Sequence, residues 1–119
     1  MQGLFEVLEQ VKRSPGLYLG RPSVSDLFMF LNGYEFARTQ MDIKLTPIEE
    51  DFYDRFQPWL QSRLGVTSVT SWAKLIMLAC PDEKAGFEQF FKLLDEFKRQ
   101  GLAEIGSSSE VWSGSRSAA

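Results

Sequence analysis

Histidine is absent from this chain of 119 residues, and cysteine occurs once, at Cys80. Without histidine there is no His-based general acid–base catalysis, no His–Ser or His–Cys nucleophile pair and no His-ligated metal. A lone cysteine cannot close an internal disulfide, which suits a reducing cytosol. One Cys and no His also rule out an ordinary structural zinc site. Long apolar runs are missing too. The longest, Leu75 to Cys80, falls far short of the roughly 20 residues that span a bilayer. Glu6 and Glu9 interrupt the first turns, so the N-terminus does not read as a secretory signal. Basic residues are outnumbered, 13 Lys and Arg against 16 Asp and Glu, for a net charge of −3. That balance disfavours a nucleic-acid backbone, whose counterions are released only by concentrated Lys and Arg. These absences predict a cytosolic protein with no cofactor or metal and with neither a membrane nor a nucleic acid as partner.

What is present is aromatic and helical. Ten Phe, three Trp and three Tyr give a chain of this length ample core material for one domain. Leu4, Val7, Leu8 and Val11 share one face of a first helix, about Gly3 to Lys12. Pro15-Gly16 fits the central pair of a type II turn. Ser23 caps a second helix, with Asp26 near its positive end and Leu27, Phe30, Leu31 and Tyr34 inward. Gly33 in its middle marks either a close approach or mere tolerance.

Thr46-Pro47-Ile48-Glu49 is a capping box with Pro at the first helical position. It opens a helix to about Leu64 that Pro58 is expected to kink or split. Thr70 or Ser71 starts a short fourth helix. A fifth begins near Pro81, carries Phe87, Phe90, Phe91, Leu94 and Phe97 inward, and stops at Gly101. Glu88–Lys92 and Asp95–Arg99 are spaced as i, i+4 ion pairs on its outer side. With no strand alternation anywhere, the pattern predicts an all-α, compact bundle of about five short helices. The single domain covers residues 1–105, followed by a Ser-rich flexible tail from 106 to 119.

Three features invite a chemical reading. The Arg13–Ser23 corner has arginines, small residues and a following helix start, the parts of an anion cradle. Its glycine spacing matches no phosphate loop, and a rigid connector with Tyr18 packed down accounts for it better. Glu49, Glu50, Asp51 and Asp54 form an acidic run, joined by Asp82 and Glu83 at the next acidic helix start. Acidic first turns complement the helix dipole, and one short segment offers too few oxygens for a cation. A negative patch facing a basic partner is the functional alternative. Cys80 has no base beside it in sequence to activate the thiol.

The pattern Pro15-x-x-Tyr18-x-Gly20, then Ser23-x-x-x-Leu27-x-x-Phe30-x-x-Gly33-Tyr34, resembles small bacterial immunity proteins of polymorphic-toxin systems. Trp59, Ser71-Trp72-x-x-x-Ile76 and Phe90-Phe91-x-x-Leu94 extend the similarity over about residues 10 to 98. The resemblance implies a non-enzyme that binds a cognate cytosol-acting toxin and blocks its active site or substrate path. Contact surfaces in such families vary with the toxin, so no binding residue carries over by motif. The candidate contact residues remain Glu49, Glu50, Asp51, Asp54, Asp82 and Glu83. A helical adaptor unrelated to toxins, and an enzyme built on carboxylates and arginine, are the other two classes the sequence leaves open.

Overall fold

The structure, a computed structural model, describes residues 3–67 and 70–111. Among the described residues it contains six helices and no strand: α1 (Leu4–Arg13), α2 (Pro15–Leu19), α3 (Val24–Gln40), α4 (Pro47–Leu64), α5 (Trp72–Met77) and α6 (Glu83–Val111). The all-α bundle is therefore as expected, with one more short helix than the sequence suggested.

The extra helix is the corner itself. Pro15 takes the first position of α2 rather than the second position of a type II turn. Its fixed φ suits a helical start, where the missing N–H costs nothing. The left-handed residue is then Gly20, at φ 83°, which closes α2, and not Gly16. Tyr18 stands edge-on to Phe30, with 6.3 Å between ring centroids, and its hydroxyl donates to Gln10 Oε1 at 3.3 Å.

Both predicted caps of the longer helices form. Asp26 N–H donates to Ser23 Oγ at 3.1 Å. Glu49 N–H donates to Thr46 Oγ1 at 3.3 Å, and Thr46 N–H donates back to Glu49 Oε1 at 2.8 Å. Ser71, not Thr70, caps α5 through Lys74 N–H. Pro58 does not split α4, which continues to Leu64 and ends at left-handed Gly65. Because Pro58 faces solvent, its ring displaces no core side chain. At the far end, α6 passes through Gly101 and runs on to Val111. Glycine lowers helix propensity by about 1 kcal/mol but does not forbid a helix interior. The tail expected from residue 106 lies on this helix as far as Val111, and residues 112–119, including Trp112, lie outside the described residues.

The core is aromatic and centred on α4 and α6. Phe56, 1% exposed, meets five rings: Phe52, Trp59, Trp72, Phe90 and Phe97. Trp72 lies 4.7 Å from Phe90, and Trp59 lies 5.5 Å from Phe97. Both tryptophans thus pack on α6 and meet through Phe56. Such ring pairs add about 0.5–1.5 kcal/mol each beyond their buried area. α3 crosses α6 closely at Gly86, where an added Cβ would lie 2.7 Å from Val24 Cγ1 and 2.9 Å from Met77 Sδ.

Candidate partner-binding surfaces

The six acidic candidates separate into groups that the fold uses and groups that it leaves outside. Glu49 belongs wholly to the first, which corrects its expected place in a partner-facing patch. It is 2% exposed. Its Oε2 accepts from Leu4 N–H and from Arg38 Nη1, both at 2.6 Å, while Oε1 accepts from Thr46 N–H at 2.8 Å and Arg38 Nη2 at 3.2 Å. Arg38, 4% exposed, also donates to the Lys44 carbonyl at 3.0 Å and the Tyr34 hydroxyl at 3.2 Å. One carboxylate therefore joins the start of α1, the end of α3 and the start of α4. Burial alone would raise its pKa. The bonds from Arg38, Leu4 and Thr46 outweigh burial and hold it at about 2. The same pairing raises the Arg38 pKa.

Beside this clamp, the Tyr53 hydroxyl and Glu35 Oε2 are buried with no hydrogen-bond partner among the described residues. Burial first, and then the Glu35 charge, push the Tyr53 hydroxyl well above its usual range.

Glu83 is likewise a structural group. Its Oε1 accepts from Ser25 N–H at 2.9 Å and Ser23 Oγ at 3.1 Å, and its Oε2 accepts from Ser25 Oγ at 2.8 Å. The carboxylate at the start of α6 is thereby stapled to the start of α3. The Ser25 backbone bond leads in lowering its pKa, against a smaller opposing effect of burial. Asp82 is exposed but accepts Ala85 N–H at 2.8 Å, a helix cap. Asp51 pairs with Arg55 one turn on, at 3.3 Å.

Glu50 and Asp54 remain. Both are exposed, one turn apart on the outer side of α4, and form no ion pair among the described residues. They do not converge with other carboxylates. No group of three or more His, Cys, Asp or Glu could hold a metal ion among the described residues. The pairs expected at Glu88–Lys92 and Asp95–Arg99 do not form either.

Arg21 of the corner has an ordinary role. Arg21 Nε pairs with Asp26 at 2.9 Å, so the acid that would repel an anion is already neutralised by the arginine that would attract it. The half-buried Cys80 thiol is pushed up by burial and by the Asp82 charge, away from a reactive thiolate.

The sequence reading missed an apolar surface on α3. Met29 and Phe36 are each 65% exposed. With a 3.6-residue period, Met29, Gly33, Phe36 and Gln40 line one stripe, opposite the buried Leu27, Leu31 and Arg38. Gly33 sits in its middle, and an added Cβ there would meet nothing within 4 Å. The glycine is therefore an open notch between two large side chains, and no neighbour among the described residues requires it. The signal was in the sequence: apolar residues surround α3 on both sides, which one core-facing stripe does not explain.

Among the described residues no helix is long and apolar enough to cross a membrane. The chain matches no protein-family model, no curated protein and no solved structure.

Proposed function

We propose that this chain is an immunity protein, which binds a cognate cytosol-acting bacterial toxin and neutralises it by protein–protein contact. The observation that carries the binding reading is the outer stripe of α3, where Met29 and Phe36 stand in solvent on either side of the Gly33 notch. Exposed large side chains of this kind anchor interfaces, where a few buried groups supply most of the binding energy. The sign of the partner follows from α4. Glu50 and Asp54 carry unspent negative charge on a chain of net −3, which speeds encounter with a basic surface and fixes its register.

A binding role fits the chemistry better than catalysis does. The strongly shifted carboxylate, Glu49, is sealed in the clamp, and Glu50 and Asp54 stand on the open side of a helix. Co-expression with candidate toxin domains taken from genes adjoining this one tests the proposal. Growth rescue together with co-purification is the expected result. Neither rescue nor co-purification would overturn it. Capture of a non-toxin protein without rescue would instead establish a helical adaptor.

A further inference from the structure

A second surface lies along α6. The end of α1, the α2 corner and α6 enclose a cleft of about 490 Å³, within the size range of ligand sites. Its floor is apolar. Phe87 and Phe91, both nearly buried, line it and meet each other edge-to-face at 5.1 Å. Pro15 and Pro22 form the facing wall. Two prolines fix the backbone of that wall, so little order remains to be imposed on binding.

The rim is charged. Lys12, Lys84 and Lys92 bring three ammonium groups, and none forms an ion pair among the described residues. Lys12 Nζ stands 5.5 Å from the centre of the Phe91 ring. Glu88 and Asp95 also line the rim. Glu88 lies one turn from both Lys84 and Lys92, so a continuous polyanion would run over a like charge. The cleft therefore suits separated negative charges around an apolar body. We infer that it binds an acidic peptide segment carrying an aromatic side chain: the ring packs on Phe87, Phe91 and the prolines, and flanking carboxylates reach Lys12, Lys84 and Lys92. The ring gains edge-to-face contact and shares the lysine ammonium groups by cation–π attraction. This site is separate from the α3 stripe and does not depend on the toxin reading.

The test is a heteronuclear NMR titration of the full chain with an acetylated Asp-Glu-Trp-Asp-Glu peptide at low salt. Shifts confined to amides around Lys12, Pro22, Lys84 and Phe91 are expected. A Lys84→Glu, Lys92→Glu double variant, altered only at exposed positions, should bind about tenfold more weakly or worse, as expected for two reversed rim charges. An Asp-Glu-Ser-Asp-Glu peptide and inorganic polyphosphate should bind much less. Absence of shifts would overturn the inference. So would equal binding of the serine peptide or polyphosphate, which would reduce the cleft to a plain anion patch, or a double variant that binds unchanged.

Discussion

Glu49 shows how a charged residue becomes part of a core. Its four hydrogen bonds satisfy both oxygens and two backbone N–H groups, the buried one of Leu4 and the part-buried one of Thr46. Removing one member of such a pair leaves the other buried and uncompensated. Glu49→Gln should therefore cost roughly 3–5 kcal/mol in chemical denaturation. Replacing Arg38 and Glu49 together by apolar residues should cost less than the sum of the single changes. The pH dependence has a definite sign. A folded pKa of about 2 lies below the ordinary 4.5, so the folded state binds fewer protons at this site. The stabilisation is complete above about pH 5 and is lost as pH falls toward 2. Thermal melts from pH 7 to 2 should show a smaller drop in Tm for Glu49→Gln than for the parent. The capping box made the backbone role of Glu49 legible from Thr46 alone. Arg38 was not legible, because it reaches Glu49 only after the chain turns back beyond α3, where Asp42 takes a left-handed φ of 56°. No helical spacing predicts that return.

At the scale of elements, two glycines within helices have opposite meanings. Gly86 in α6 is where α3 approaches, with Val24 and Met77 closer than a Cβ allows. Gly86→Ala should destabilise by about 1–3 kcal/mol through overpacking. Gly33 in α3 has open space and should gain up to about 1 kcal/mol on substitution by Ala. Urea midpoints of the two variants check both signs. Periodicity could not tell these glycines apart, since each sits within an apolar helical pattern and only the crossing of α3 over α6 separates them. Helix starts were read well because caps are local chemistry, as at Ser23, Thr46 and Ser71. Helix ends and turns were read less well at Pro15 and Gly101. There, packing and chain continuity override a local preference worth about 1–3 kcal/mol.

For the whole molecule, the core accounts for most of the aromatic supply, and the exceptions define its surface. Phe36 on α3 and the two carboxylates Glu50 and Asp54 on α4 have no partner among the described residues to explain them. The candidate acidic patch was half legible: the sequence located the run, but side-chain direction at Glu49 and Glu83 depended on contacts 45 and 58 residues away. The most direct measurement of the proposed toxin binding is the affinity of the purified chain for a toxin domain that it rescues in co-expression, compared with a Met29→Asp, Phe36→Asp variant of unchanged helicity and melting temperature. The account predicts a loss of about a hundredfold or more, as expected when two interface anchors are replaced by charge. Equal affinity of the two proteins would contradict it.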